Sequence, residues 1–353
     1  MRILLIANEH PGFFQIGFRR PLQDLERAGL ISGHSVLSPQ ALLESGVSKH
    51  EVRQLLFSAF EDLLPDLVFV MHPHITAIRQ QDIDRLRKIK PFKLIVWEGD
   101  AYSLTRKPPS ISDMIFARNS DVVFTVGRGS LASNFKLLGA RRIDWVPHCF
   151  EADRVPMLTD EQFKNLELKF DVSIIGNRSA HRIRSAPNWK QRARFIELAQ
   201  EAFGNRLAVF GTGWSGESAK GPAPFDQQHL VISSSRITAN WDHYAQVPFY
   251  FSNRLPISLA SGSVHATTCH PGYREIFPSN VEKFLILASS PQELLNRIQD
   301  HLAKTKDEEY LQLKIKASRY AFKNFRQDDW FVRMLNFDGI NINPEGAKEA
   351  WTK

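Results

Sequence analysis

The residues whose types and spacing best suit binding lie in the stretch YFSNRLPISLASGSVHATTCHPGYREIFP, residues 250–278. Its first polar residues, Ser252, Asn253 and Arg254, precede an apolar helical segment, and Ser252 or Asn253 is expected to cap that helix. The amides of a helix N-terminus bind anions, and an arginine beside them can make a forked contact with phosphate. The stretch therefore predicts a phosphate site, although an ordinary capped helix–strand unit would have the same residues.

Two glycine turns follow the same helix. Gly262 allows a tight turn into the next strand, and Gly272 would let the backbone approach a ligand. Glu275 comes at the start of the next turn, where its carboxylate could accept hydrogen bonds from sugar or ribose hydroxyls.

A second candidate is the run GNRSAHRIRSAPNWKQRAR at 176–194, where a strand-end Gly176 is followed by six Lys or Arg residues. A glycine and basic residues near a helix start suit a diphosphate, and Arg178 is the residue expected to face the ligand. Within this run neither GxxxxGK[ST] nor GxGxxG is present, so the run itself is no standard nucleotide motif. A solvated basic helix face remains an alternative. The sequence GTGWSG at 211–216 is either a loop that closes over a nucleotide or a simple turn.

Acid–base candidates follow two apolar runs in the first half of the chain. VMHPH places His72 and His74 after one run, and WEGD places Asp100 after another. Each could act as a general base toward a hydroxyl group, although a lone strand-end histidine is more often structural. Two histidines without a third ligand at suitable spacing do not predict a metal site.

Alternating strands and helices position these residues. Apolar strands are predicted at 1–7, 34–39, 65–74, 92–100, 121–127, 142–148, 171–177, 206–211, 230–234 and 284–289, with helical stretches between them. This order predicts parallel sheets covered by helices on both faces, with ligands outside the carboxyl ends of the strands. The charged stretch 151–168 interrupts the pattern and is interpreted as a linker between two α/β domains.

Composition narrows the classes of protein. The chain has 353 residues, a net charge of +7 and two cysteines that form no metal-like or disulfide pattern. No apolar run is close to the length of about 18 residues that a membrane-spanning helix needs. We expect a cytoplasmic protein, with contact at the inner face of the membrane as an alternative. The positive charge suits an anionic ligand or membrane surface, and nucleic acid is the least expected partner.

The order of motifs resembles that of GT-B glycosyltransferases, in particular the group related to the spore maturation protein CgeB. The resemblance rests on Trp97 with Asp100, DVVFTVG, LLGARRIDWVPH, SIIGN, VFGTGW, FSNRLPISLASG, GYREIF and SSPQEL, and it covers nearly the whole chain. It implies two Rossmann-like domains that face each other across a cleft. It also implies an acceptor domain at 1–150, a donor domain at 168–324, and a C-terminal helix at 325–353 that docks back on the first domain through aromatic side chains.

The resemblance further implies a nucleotide-sugar donor and a glycan, lipid or protein acceptor. The diphosphate is implied to lie near Gly176, Arg178, Arg254 and the amides of 262–264. The residues implied for donor binding are Gly176, Asn177, Arg178, Trp214, Ser252, Asn253, Arg254, Gly262, Ser263, Gly272, Tyr273 and Glu275. Related retaining enzymes often carry two glutamates in this region, whereas this chain has Phe249 and Ile257 at the corresponding positions.

Three functions therefore stay open: a glycosyltransferase, a GT-B nucleotide-sugar epimerase, and an inactive nucleotide-binding scaffold. For the transferase we expect no cofactor and no metal, because a helix terminus and arginines can stabilise the leaving diphosphate. An inverting enzyme needs a base, and Asp100, His72 and His74 are the candidates. In a retaining enzyme the donor phosphate itself could take the proton.

Overall fold

The structure is a computed structural model that describes residues 1–74, 76–102, 107–178 and 187–352. The chain divides into two compact units. Unit 1 comprises Met1–Pro147 and Gln327–Lys353, and unit 2 comprises His148–Arg326. The two are described separately below. Among the described residues no helix is both long and apolar enough to span a bilayer.

Unit 1 is a parallel six-stranded sheet in the order β2-β1-β3-β4-β5-β6. The strands are β1 Arg2–Ile6, β2 Gly33–Leu37, β3 Leu67–Met71, β4 Lys93–Glu98, β5 Val122–Thr125 and β6 Ile143–Trp145. The helices are α1 Ile16–Arg27, α2 Pro39–Glu44, α3 Lys49–Leu63, α4 Gln80–Ile89, α5 Ile111–Asn119, α6 Ser130–Leu137, and, from the chain's end, α14 Gln327–Leu335 and α15 Pro344–Thr352.

Burial explains this architecture. All five residues of β3 (LVFVM) are buried, as a strand covered on both faces requires. Because all the strands are parallel, their carboxyl ends meet at one edge of the sheet, which brings the ends of β1, β3 and β4 together.

The C-terminal segment completes unit 1 through one fully buried aromatic ring. Phe331 of α14 packs edge-on against Phe18 of α1 and Phe69 of β3, with ring centroids 5.2 and 5.0 Å apart. The Phe331 side of α14 is therefore packed inside the unit. Of the other C-terminal aromatics, Phe325 lies in unit 2, where its ring packs against that of Phe251.

Unit 2 has a second parallel six-stranded sheet, in the order β12-β11-β10-β7-β8-β9. Its strands are β7 Phe170–Ile175, β8 Leu207–Phe210, β9 Ala219–Gly221, β10 Ser235–Asn240, β11 Val264–Thr268 and β12 Leu285–Ala288. Its helices are α7 Asp160–Lys164, α8 Trp189–Phe203, α9 Gln228–Ser233, α10 Arg254–Ala260, α11 Tyr273–Ile276, α12 Pro291–Lys304 and α13 Asp307–Asn324.

Two sequence-based predictions for unit 2 are wrong. Residues 228–233 form α9 rather than a strand, and the strand is SRITAN at 235–240, where the last four residues are buried. The predicted linker at 151–168 is part of unit 2, because it contains α7 and because Phe163 of that helix is buried at 4% exposure.

Candidate functional site

Two guanidinium groups lie together at the carboxyl end of β7, in unit 2. A Cβ atom added to Gly176 would lie 3.4 Å from Nη2 of Arg254 and 3.7 Å from Nη1 of Arg192. Arg254 Nε donates to the carbonyl of Ile175 (2.6 Å), and Arg192 Nε donates to that of Trp241 (2.7 Å). Within the described residues neither arginine has a carboxylate in ion-pair range. We identify this arginine pair, Arg192 and Arg254, as a candidate anion site.

The neighbouring strand ends bring other predicted residues to the same place. Trp214 Nε1 donates to the carbonyl of Gly176 (2.7 Å), and the Arg178 guanidinium lies 5.6 Å from the Trp214 ring centroid. The Asn177 side chain accepts from the amide of Thr212 (2.9 Å). Gly176, Asn177, Arg178, Trp214 and Arg254 are thus grouped as predicted. The rest of the basic run, residues 179–186, lies outside the described residues.

A buried polar network supports the arginine pair. Asn240 accepts from Arg192 Nη2 (3.3 Å) and donates to Asp242 (2.5 Å). Asp242 also pairs with Nε2 of the buried His270 (3.0 Å). The backbone amide of Asp242 donates to the Thr268 hydroxyl (2.9 Å). These contacts link the carboxyl ends of β10 and β11 to the arginines.

Charge explains why these groups belong together. Burial and the neighbouring Arg254 charge lower the pKa of Arg192 to about 9, so its guanidinium still carries a charge at neutral pH. Burial alone would raise the pKa of Asp242, but His270 and the two arginines hold it well below its usual range. This cluster thus combines two guanidinium cations with one buried carboxylate, which leaves excess positive charge at the candidate anion site.

Two predicted donor residues lie elsewhere. Helix α10 begins at Arg254 beside the carboxyl end of β7, whereas Gly262 and Ser263 follow its other end and precede β11. Gly262 has φ +72°, and a Cβ atom there would lie 2.2 Å from the Phe163 ring. Grouping Gly262 and Ser263 with the phosphate site is therefore wrong, because they lie at the amino edge of the sheet.

The predicted cap of α10 is also wrong. Asn253 occupies the N-cap position in a helical conformation without a side-chain capping bond. Ser252 is 5% exposed and instead accepts a hydrogen bond from Asn240 Nδ2 (3.3 Å). Arg254, rather than a capped helix end, is therefore the candidate anion-binding group here.

The turn after β11 differs from expectation as well. A Cβ atom on Gly272 would lie 2.6 Å from the ring of Phe249, so that ring covers the glycine that was expected to face a ligand. Tyr273 is 2% exposed and stacks on His270, so its ring is part of the core. Glu275 is exposed in the first turn of α11, and its role in binding hydroxyls stays a prediction.

Unit 1 carries a histidine–carboxylate dyad where β3 and β4 end. His72 Nδ1 lies 2.5 Å from Oε1 of Glu98, which is fully buried and also accepts from the amide of Asp100 (2.8 Å) and the hydroxyl of Tyr102 (3.2 Å). A Cβ atom on Gly99 would lie 2.9 Å from the His72 ring, so any larger residue at this position would clash with the imidazole. Glu98 fixes the orientation of the imidazole through Nδ1, and Nε2 makes no hydrogen bond among the described residues.

Burial and charge act in opposite directions on this dyad. Burial alone would lower the pKa of His72, but the charge and hydrogen bond of Glu98 more than offset it, so the pKa is raised above its ordinary value. Burial raises the pKa of Glu98. A histidine held by a buried carboxylate is the arrangement of a general base.

The two other predicted bases have weaker positions. Asp100 is exposed and its carboxylate pairs with Lys107. His74 pairs with the buried Asp113 (3.2 Å). One ligand atom each from His72, Glu98 and Asp100 lie within 4.8 Å of one another, so these three could hold a metal ion. Hydrogen bonding already engages His72 with Glu98, and Lys107 neutralises Asp100, which favours the dyad over a metal centre.

Sequence reasoning missed several of these residues. Asp242 was not found because the strand that ends before it was predicted at 230–234, whereas it lies at 235–240. His270 lay within the stretch 250–278 but was not singled out. Arg192 lay within the basic run but was not singled out. Glu98 lies in the same WEGD stretch as Asp100, and its position as the last residue of the apolar strand is the signal that distinguishes it from Asp100.

Comparison with known proteins agrees with the geometry. Residues 184–326 match the family model described as Glycosyl transferase-like. Sucrose-phosphate synthase from Thermosynechococcus elongatus superposes with a TM-score of 0.60 at 13% identity, over 95% of this chain and 96% of that one. Anabaena HepE in complex with UDP and glucose gives 0.59 at 13% identity, over 96% and 100%. A putative UDP-N-acetylglucosamine 2-epimerase from Listeria monocytogenes gives 0.51 at 10% identity, over 97% and 98%. A sequence search of curated proteins finds no significant match.

The chain therefore has the GT-B fold, with two six-stranded parallel sheets, and its second half carries a glycosyl transferase-like region. At these identities the structural likeness establishes the fold alone. The resemblance to the CgeB-related group stays a prediction.

Proposed function

We propose that the protein is a glycosyltransferase that moves a sugar from a nucleotide-sugar donor to a hydroxyl group of an acceptor. The observation that carries this proposal is the arginine pair, which has excess positive charge and lies beside Gly176, where no side chain fills the space next to the two guanidinium groups. Such groups stabilise a leaving nucleoside diphosphate by fixed electrostatics. The family match at 184–326 favours transfer over the epimerase and scaffold alternatives.

In this proposal each unit has one chemical role. In unit 2, Arg192 and Arg254 bind the diphosphate and need no metal ion to offset its charge. In unit 1, His72 removes the proton of the acceptor hydroxyl through Nε2 while Glu98 stabilises the imidazolium that forms. A protein base is what an inverting transferase requires, so the dyad supports inversion. UDP is the first donor nucleotide to test, because HepE was solved with UDP and glucose.

Thermal unfolding with UDP, GDP, ADP, CMP and dTDP tests the proposal. A ligand at about 100 times its dissociation constant adds about 2.7 kcal/mol of stability. We expect one nucleotide to raise the melting temperature and Arg254→Ala to abolish the rise. Arg194→Ala is the matched control, since Arg194 is on the same helix as Arg192 and is exposed.

Donor hydrolysis and transfer are then followed as nucleotide release with and without EDTA. We expect EDTA to leave the rate unchanged. The assignment of the donor site would be contradicted if no nucleotide of this panel stabilises the protein at millimolar concentration. It would also be contradicted if the stabilisation survives Arg254→Ala.

A further inference from the structure

A cavity of unit 2 lies at the opposite end of the sheet from the arginine pair. Its volume is about 600 Å³, and its wall is built by α7 and the residues just after it, the start of β10 and the first half of α13. Arg236 of this wall is the second residue of β10, whereas Asn240, which contacts Arg192, is the last. Four residues of a strand span about 13 Å, so this cavity is separate from the candidate anion site. We call it the α13 cavity.

A buried ammonium group lies in the wall of the α13 cavity. Lys314 is 3% exposed, and its Nζ donates to the carbonyls of Ser233 (2.6 Å) and Ser235 (3.4 Å). Burial and the charge of Arg236 lower the pKa of Lys314 to about 8, so the side chain is still mostly protonated at pH 7. In the part of the chain that the structure describes, no carboxylate lies within ion-pair range of Nζ. Since a buried cation without a counter-ion is costly, an anionic ligand group would stabilise it.

A second polar group of the same wall has no partner. Tyr310 is 1% exposed, and its hydroxyl makes no hydrogen bond among the described residues. Buried hydroxyl groups normally have a partner, so this one calls for an explanation. Tyr310 and Lys314 are four residues apart on α13, which makes them neighbours on one face of the helix, and both line the α13 cavity. One negatively charged acceptor in the cavity would satisfy the hydroxyl and compensate the ammonium.

The other charged residues of the wall limit the charge of such a ligand. Arg236 is already paired with Asp307 (2.6 Å). Lys164 and Glu308 are both exposed and opposite in sign, so they contribute little net charge. The wall therefore has an excess of about one positive charge, which suits a single carboxylate better than a phosphate with its charge of about −1.5 to −2.

Apolar side chains complete the wall of the α13 cavity. Phe163, which is 4% exposed, and Leu311, which is half-buried, face it together with two leucines of the segment after α7. Small-molecule sites typically combine such an apolar lining with a few polar groups that fix the orientation of the ligand. This lining therefore suits the hydrocarbon part of a small molecule.

We propose that the α13 cavity binds a small monocarboxylate with an apolar body. Its carboxylate accepts a hydrogen bond from the Tyr310 hydroxyl and pairs with the Lys314 ammonium, and its hydrocarbon part contacts Phe163 and Leu311. The site is separate from the proposed transferase function and does not depend on it.

Calorimetric titration at pH 7 with two matched pairs of compounds tests this site. Benzoate and benzamide share an aromatic body, hexanoate and hexanamide share an aliphatic one, and only the first member of each pair is charged. We expect one carboxylate to bind at least about tenfold more tightly than its amide, because hydrogen bonds to charged groups are the stronger ones. Lys314→Met should remove this preference, and Tyr310→Phe should weaken binding of the carboxylate about threefold to tenfold.

The two variants have matched controls on the same helix. Lys316→Met changes an exposed lysine and Tyr320→Phe a half-buried tyrosine, neither of them in the wall of the cavity, and both should bind as wild type does. Tyr310→Phe removes only a hydroxyl without a partner, so we expect the variant to fold even if Lys314→Met does not. Circular dichroism and the melting temperature check the fold of each variant.

Three results would overturn the proposal. The first is that neither carboxylate binds at millimolar concentration or that each binds no better than its amide. The second is a preference that survives both Lys314→Met and Tyr310→Phe. The third is a preference that Arg254→Ala removes, since the carboxylate would then occupy the candidate anion site. Carboxylate binding that Arg254→Ala leaves unchanged supports the α13 cavity, whether or not the protein releases nucleotide from any donor.

Discussion

His265 offers a test of the polar interior of unit 2. It lies in β11 between β10 and β12, is fully buried, and neither ring nitrogen has a hydrogen-bond partner among the described residues. Burial lowers its pKa to about 4, with Arg254 acting in the same direction and Asp242 in the opposite one. The imidazole is therefore neutral in the folded protein at pH 7.

The sign of the pH effect follows from proton binding. Between pH 6.5 and about 4 the unfolded chain takes up a proton at His265 that the folded unit does not, so this residue lowers stability as pH falls. At 1.36 kcal/mol per pH unit, the difference between the two pKa values is worth about 3 kcal/mol. His265→Leu should remove this loss and, by removing two unpartnered buried nitrogens, should not destabilise unit 2 at pH 7.

The assay is urea unfolding at pH 7 and at pH 4.5, read by hydrogen exchange of peptides from β10 and β11. The stability advantage of the variant should grow as the pH falls. His50→Leu, at an exposed position in unit 1, is the control. Burial also lowers the pKa of His243, to about 3, so the comparison uses the difference between variant and wild type. The reasoning fails if His265→Leu and wild type lose stability in parallel.

Three further predictions follow from the site. Gly262→Ala should cost at least about 1–2 kcal/mol of unit 2 stability, because alanine disfavours the positive φ of this residue and its methyl group would clash with Phe163. Nucleotide affinity in thermal shift titrations should stay unchanged, and weaker nucleotide binding would contradict the placement of Gly262. Glu98→Gln should slow transfer about tenfold to a hundredfold. Because Glu98 raises the pKa of His72, the variant should also move the acid limb of the pH–rate profile to lower pH. An acid limb that does not move would exclude His72 as the base. Asp242→Asn should destabilise unit 2 by about 3 kcal/mol, measured by urea unfolding, because His270 loses its buried carboxylate partner and the two nearby arginines lose its negative charge. A smaller loss than in an exposed Asp300→Asn control would contradict this.

Most of the fold could be predicted because buried parallel strands are apolar throughout. Strands such as LVFVM at 67–71 are distinct from any amphipathic helix. SRITAN at 235–240 was missed because its arginine and threonines weaken that signal, while the apolar LVISS just before it forms most of α9. One misplaced strand then hid Asp242, since strand ends were the guide to the site.

The error at Gly262 had a different cause. Closeness in sequence to Arg254 suggested closeness in space, but a helix of seven residues carries the chain about 10 Å along its axis. In a parallel α/β sheet each connecting helix runs back to the amino edge, so the two ends of α10 cannot share one ligand. Topology alone would have separated them.

Both sheets hold costly charged groups at their carboxyl ends, and the cost itself is an argument for function. Arg192 is 6% exposed beside a second guanidinium, and Glu98 is fully buried. Apolar residues of similar size would stabilise such positions more than these charges do. In unit 2 a bound diphosphate would supply the missing negative charge between the two arginines. Replacing Arg192 with Leu should therefore make the free protein no less stable than wild type while removing the stabilisation that a nucleotide gives. If Arg192→Leu instead keeps full nucleotide stabilisation, the guanidinium serves only to bind the carbonyl of Trp241, and Arg254 alone defines the anion site.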